Sequence, residues 1–400
     1  MIYYIIIIHF IVVIKLYINE EIYGLKSIYA ISLILFLFVP TLYNYLGLVY
    51  VDYKPSWLYH LTFLLNTLLL FKLNLSYNGL KNIFNLNFKK SFIQRIFLFS
   101  ILILLLMSLL AIAGLGHLVR FPSIGFFSIT GYFTAYLYLN RKNYNGKWIH
   151  FLFISTITFL LFAFVFWSGY GRLIMFQFVS IAMVFLTLVI SQKKTIKFLF
   201  LLLVPIMIVI GGILRSDSAS FSSTLSSGEG AGSLFSTYRD SEYVIRDISS
   251  NRFQVVNGES HVAAILFWVP RIFWESKPEG FGKQLVIWYY PSYVDTGFSL
   301  AASFIAEAYA NFKYFGIPIA ILMCYLIFWF ISKNLNNYTN SINYKHLRNK
   351  LIAICFLCVI PDFIWGGLQT YLIRSVGSAL FVFLTFSMLN ILGAFRGDNA

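Results

Sequence analysis

The sequence predicts an all-α, polytopic integral membrane protein with about eleven transmembrane helices and one long extracytoplasmic loop. Three observations predict it. Hydrophobic residues fill 59% of the 400 positions and charged residues only 11%, against roughly a quarter charged in soluble domains. So few charges cannot cover a soluble surface of this size. Apolar runs such as Leu98 to Leu110 and Phe151 to Trp167 hold no charge at all. A spanning helix needs roughly 20 mostly apolar residues, because each rises about 1.5 Å through a hydrocarbon core about 30 Å thick. Finally, the basic residues gather in short segments between those runs.

In chain order the expected spans are 1–18, 27–49, 57–73, 96–117, 122–140, 148–167, 173–190, 198–214, 313–331, 351–371 and 376–394. Met1 to Ile14 lacks a basic leader and a small-residue cleavage pattern, so it reads as a retained first span with Lys15 near its inner end. The segments bearing Lys81, Lys89, Lys90 and Arg95, then Arg141, Lys142 and Lys147, then Lys193, Lys194 and Lys197, then Lys333, Lys345, Arg348 and Lys350 read as cytoplasmic loops. The topology then closes with the N-terminus outside and the C-terminus inside. The net charge of +15 is thereby assigned to an anionic leaflet and not to nucleic acid, which would require a basic face. Cys324, Cys355 and Cys358 all lie inside apolar runs and read as core residues.

The chain divides into a membrane bundle over 1–214, an extracytoplasmic segment over 215–312, and a second bundle over 313–400. From Arg215 to Ser299 there are seven Lys or Arg and nine Asp or Glu, out of fifteen acids in the whole chain. A mildly acidic segment outside and basic loops inside agree with the positive-inside rule. Ser216 to Ser236 is rich in Ser and Gly and reads as flexible linker. Tyr238 to Ser299 carries the aromatics and charges of an ordered segment. Within it, His261 to Trp274 is apolar enough to lie in the interface or re-enter the membrane, but too short to span.

Two stretches carry candidate chemistry. In Trp268 to Gly282, Arg271 and Lys277 sit beside prolines. A guanidinium gives a phosphate two parallel hydrogen bonds and an ammonium adds charge. Headgroup anchoring with an aromatic belt of Trp268, Trp274 and Trp288 is the alternative. In Gly297 to Gly316, Ser303, Glu307 and Asn311 fall on one face of a helix. A carboxylate leading into a membrane helix should face a cavity, water or a cation. Partly desolvated, Glu307 suits a general base; a structural ion pair with an arginine is the other reading. Arg120, Arg172, Arg215 and Arg374 fall near the outer face and Asp362 away from it, and converging arginines suit an anionic lipid. Singly, each is a snorkelling anchor. No phosphate-binding loop, nucleophile elbow or zinc-helix motif occurs. The histidines, including His117 and His261, show no metal spacing, though His261 could act as a lone acid or base.

Pro270-Arg271, Lys277-Pro278 and Gly282, then Gly297-x-Ser299, Glu307-x-Tyr309-x-Asn311-Phe312 and Gly316, with the Gly-x-Gly-Arg172 edge, resemble the bacterial Wzy-type O-antigen and oligosaccharide repeat-unit polymerases. The matching core is Pro270 to Gly316; elsewhere the likeness is one of hydropathy and loop placement. The resemblance implies a polytopic lipid-sugar glycosyltransferase in the bacterial plasma (inner) membrane. It implies that a growing glycan is transferred from undecaprenyl diphosphate onto the next lipid-linked unit at the outer face, with a chain-length regulator as a family partner. In that reading Arg271, Lys277, Arg215 and Arg172 stabilise the departing diphosphate. Glu307 is the first candidate base, and Asp295 and His261 the next. Asn311 and Tyr309 contact the substrate. Trp288, Tyr289, Tyr290 and Tyr293 offer sugar-stacking faces. No cofactor or metal is required. An O-antigen ligase shares the donor and architecture; a flippase would line many spans with polar residues, and a binding-only receptor would not need Arg271 and Glu307 together.

Overall fold

The computed structural model describes residues 2–20, 23–45, 57–72, 82–86, 88–144, 146–162, 172–190, 193–202, 229–296, 299–336 and 344–391. These residues are all-helical, with no strand among them. Leu25–Leu42, Lys90–Ile112, Phe304–Asn336 and Ile360–Ile391 are long and apolar enough to cross a membrane, and Tyr4–Asn19, Trp57–Leu70, Trp148–Leu161 and Leu173–Val189 are shorter apolar helices. The chain is thus an α-helical, membrane-embedded protein.

The first bundle is built from α1 (Ile2–Asn19), α2 (Leu25–Leu33), α3 (Val39–Tyr45), α4 (Trp57–Lys72), α5 (Lys90–Ile112), α6 (Pro122–Leu139), α7 (Trp148–Leu161) and α8 (Arg172–Val189). A π-helical turn over Ile34–Phe38 joins α2 to α3, so the expected span at 27–49 is continuous helix as far as Tyr45, and 46–49 lie outside the described residues. Pro122 opens α6, where its missing N–H costs nothing. α6 is buried almost all round and touches α7, α8 and the C-terminal helices, which makes it the centre of the bundle. α5 is the opposite case. Its Leu98, Leu102, Leu105 and Leu109 form an exposed stripe at helical spacing. Such a patch is unfavourable in water and neutral against acyl chains. The expected eighth span, 198–214, is helical over 193–202 and otherwise lies outside the described residues, as does Arg215.

The middle segment contains α9 (Glu229–Ser249), α10 (Glu259–Ile265), α11 (Phe281–Tyr289) and α12 (Phe304–Phe312). The flexible linker expected through Ser236 is corrected here, because α9 begins at Glu229. Its downstream face buries Tyr238, Ser241, Val244, Ile245 and Ile248, and a helix anchored by such a face propagates through its weaker N-terminal residues. α12 and α13 (Gly316–Asn336) are separate helices. Lys313 takes φ +49, ψ −129 between them, and Gly316 lies against the carbonyl of Ala308, so the chain turns sharply before the long helix begins.

The last helices form a hairpin from α14 (Tyr344–Cys358) and α15 (Ile360–Ile391). The turn lies within α15 at Gly367, with φ 75 and ψ −169, earlier than the expected gap at 372–375. The two legs meet across it. Phe363 rests on Tyr371, with ring centroids 5.4 Å apart, and Arg374 pairs with Asp362. Asp362 therefore joins Arg374 at one level, where it was expected at another. Cys355 and Cys358 are buried, and Cys355 Sγ lies 3.6 Å from Ser128 Oγ on α6.

Gly367 is positive in φ, and a Cβ there would collide with Glu307 Oε2; Gly114 has φ +76 in open space. Gly114→Ala is expected to lower stability by about 1 kcal/mol through backbone strain alone, and Gly367→Ala by several times that. Thermal unfolding of the two variants in detergent checks this. Equal midpoints would show that the collision is relieved without cost.

Candidate functional site

A polar cluster forms where α10, α12 and the Gly367 turn meet. Ser303 caps α12, accepting from Ala306 N at 3.4 Å, while its own N–H donates to Ser241 Oγ of α9 at 2.9 Å. The cap sets the rotation of α12 and so points Glu307 and Asn311 to one side. Ser260 of α10 donates to Glu307 Oε1 at 3.1 Å, and the Leu368 amide donates to Oε2 at 2.7 Å. Asn311 Nδ2 donates to Ser260 Oγ and to the Glu307 carbonyl, both at 2.7 Å. Glu307 is fully buried and forms no ion pair among the described residues. Neutral donors take the place of the arginine weighed above.

His261 follows Ser260 on α10. Its ring stacks on Phe312 at 5.6 Å and 9°. It is 8% exposed, and both ring nitrogens lack a hydrogen-bond partner, as does Asn311 Oδ1. Buried polar atoms are rarely left this way, so these three mark a place for a ligand or water. Burial pulls the His261 pKa down to about 4, leaving the imidazole neutral, with a free lone pair, near pH 7.

A second cluster lies between the membrane helices. Gln177 of α8 donates to Asp362, and Arg374 pairs with the same carboxylate. Arg120, just before α6, lies in electrostatic reach of both Asp362 and Arg374; its Nε and Nη2 are buried without a partner. Two guanidiniums against one carboxylate leave a net positive site with donors to spare.

The other candidates sit elsewhere. Arg271 bonds the Lys277 carbonyl at 2.9 Å and Glu279 at 2.8 Å, and is half exposed. Lys277 Nζ donates to the carbonyls of Phe267 and Val269. Both cations thus shape their own loop, with donors left over. Tyr309 shares a 2.8 Å hydrogen bond with Ser249, tying α12 to α9. Arg172 opens α8 and Asp295 lies in the 3-10 turn Pro291–Thr296; their side chains, and the Gly169–Gly171 edge, are outside the described residues. Trp288 stacks on Phe253 at 4.9 Å, and Tyr289 donates to Asp247 at 3.1 Å, whereas Tyr290 and Tyr293 are exposed. Of the nearby acids, Asp240 faces Arg239, and Asp247 faces Arg246 and Arg252.

Sequence reasoning missed Ser260, Gln177 and Leu368. The Gly366-Gly367 doublet inside an apolar run was a usable sign of the turn, and a lone glutamine in a span was a sign for Gln177. Nothing local distinguishes Ser260. No protein-family model, characterised protein or solved structure matches the chain.

His261 binds its proton less readily when folded, at about 4 against 6.5. Its contribution to stability is therefore complete above 6.5 and is lost as pH falls from 6.5 towards 4. The loss is expected to be on the order of 3 kcal/mol. His261→Phe keeps the stacking and should flatten that slope. Thermal midpoints of both proteins in detergent across this range test it; parallel slopes would assign the acid sensitivity to another group.

Proposed function

We propose that the chain polymerises lipid-diphosphate-linked oligosaccharide repeat units at the outer face of a bacterial plasma membrane. The observation that supports this best is the buried meeting of Glu307, Ser260, Asn311 and the unpartnered His261 at the end of the bundle. With the Lys- and Arg-bearing loops on the cytoplasmic side, this end faces outward, where lipid-linked units and not nucleotide sugars are the donors.

In this reading the bond from the sugar anomeric carbon to the diphosphate breaks, and a bond to an acceptor hydroxyl forms. The proton of that hydroxyl passes to a base. His261 has an open lone pair, whereas both Glu307 oxygens are occupied. His261 is thus the better-placed acceptor, and Glu307 orients Ser260 and the turn. The charge left on the departing diphosphate needs guanidinium donors. Arg120 and Arg374 have them in the bundle, and Arg271 on the loop. Asn311 Oδ1 is an acceptor suited to a sugar hydroxyl.

A gel of surface glycan and lipid-linked intermediates tests the proposal, in strains lacking the gene and complemented with matched membrane levels of each variant. Deletion should leave single repeat units on their final acceptor. His261→Asn should abolish the ladder, and Arg120→Ala or Arg271→Ala should shorten it. Glu307→Gln should also lower the amount of folded protein, since one buried acceptor is replaced by a donor at a cost of about 1–3 kcal/mol. Full-length polymer stranded on its carrier lipid in the deletion would identify a ligase instead. An unchanged ladder would end the glycan reading.

A further inference from the structure

The segment 266–279 leaves the protein and returns to the same place. Its first stem, α10, is held to the Gly367 turn through Ser260, Glu307 and the Leu368 amide. Its second stem ends at Gly280, whose Cα lies so close to Gln369 that any Cβ would overlap that side chain. Both ends of the excursion are therefore pinned to consecutive residues at the head of a membrane helix.

Between the stems the loop is closed by its own cations. Lys277 Nζ bonds the carbonyls of Phe267 and Val269 at 3.1 and 2.9 Å. Arg271 reaches the Lys277 carbonyl and Glu279, and Glu279 also accepts from Lys283 at 3.0 Å. These bonds stiffen the hairpin and turn its charges inward and to its rim. The apolar side chains are left outside. Ile272 and Phe273 at the tip are 82% and 81% exposed, Trp268 is 68%, and Ile265 on the stem is 59%. Four large hydrophobic side chains on one rigid excursion are unfavourable in water. Trp268 and Trp274 stand beside the tip; Arg271, in the tip turn, directs its guanidinium back to the Lys277 carbonyl and Glu279, and Lys277 closes the loop behind it. Indoles and cations over an apolar tip match the order of the acyl region and the headgroups.

We infer that the 266–279 hairpin is a membrane-dipping element, with Ile272 and Phe273 inserted among phospholipid acyl chains and Arg271 and Lys277 held at headgroup level. The occupant is lipid and not a second protein, because the tip carries its own cationic rim and springs from the end of a lipid-embedded hairpin. It cannot span, since the chain turns back at Arg271–Trp274, where two turn hydrogen bonds close it. The inference requires the membrane embedding of the helices and not the glycan chemistry.

The test places an environment-sensitive fluorophore on Ile272→Cys, Phe273→Cys and Ile265→Cys, with Tyr293→Cys, at a residue 52% exposed, as a control. The native Cys324, Cys355 and Cys358 are buried, and the unlabelled wild type checks that they stay silent. Full-length protein is reconstituted in vesicles of zwitterionic and anionic phospholipid and quenched either by aqueous iodide or by a nitroxide fixed midway along the acyl chain. Labels at 272 and 273 should be several-fold less sensitive to iodide than the label at 293 and several-fold more sensitive to the acyl nitroxide. The label at 265 should be intermediate. Because these side chains contact little of the protein, at least two of the three labelled variants should elute as folded, monodisperse protein. Iodide quenching at 272 and 273 equal to that at 293 would overturn the inference. Protection from both quenchers would also overturn it, by putting a second copy of the chain on the tip.

Discussion

One buried carboxylate joins the pieces of this protein that the chain keeps apart. Glu307 lies on a short helix separated from the long apolar helix α13 by the break at Lys313. Its two oxygens take the Ser260 hydroxyl on one side and the Leu368 amide on the other. The second bond is a helix-terminus interaction. After Gly367 the chain starts a new helical leg, whose first amides have no partner of their own and carry the positive end of the helix dipole. A carboxylate placed there needs no cation. This explains how an acid can be fully buried without an arginine, and why a glycine stands at 367, where a side chain would occupy the carboxylate's place.

The arrangement divides the polar chemistry between two sides of one turn. On one side are Ser260, His261, Asn311 and Glu307, a group without a cation among the described residues. On the other are Arg120, Arg374, Asp362 and Gln177, with an excess of positive charge. Asp362 lies five positions before Gly367 and Arg374 seven after it, so the hairpin that brings them together also brings the two clusters to one end of the bundle. A reaction that removes a proton from a neutral hydroxyl and releases an anion asks for this separation. A base surrounded by guanidiniums loses basicity, and an anion is held where guanidiniums outnumber carboxylates, as Arg120 and Arg374 outnumber Asp362.

Part of this was legible in the sequence. The apolar runs announced the helices because a spanning helix is a matter of length and composition alone. The face shared by Ser303, Glu307 and Asn311 followed from helical spacing, since four residues make about one turn. Partners from elsewhere in the chain were not legible. Ser260 is 47 positions from Glu307, and Leu368 is 61 positions from it. The Leu368 contact is made by a backbone amide, which every residue but proline has. Where the chain turns inside an apolar run is decided by a conformation and not by hydropathy. The gap read at 372–375 followed the polarity around Arg374, while the turn is at Gly367.

Arg271 shows how proximity in sequence can mislead about capacity. It stands with Lys277 in the most distinctive stretch of the chain and has the chemistry to hold a phosphate. In the fold, its guanidinium already binds a carboxylate and a carbonyl, and the Lys277 ammonium closes the same loop. A phosphate arriving there must compete with Glu279 for the fork. Arg120 has no distinctive neighbours, yet it keeps two buried donors without partners next to a second guanidinium. Buried donors without partners cost more to maintain than a paired guanidinium at the surface. Among the described residues, unpartnered guanidinium donors therefore lie between the helices at Arg120, while the loop arginine must share its fork between Glu279 and any arriving anion.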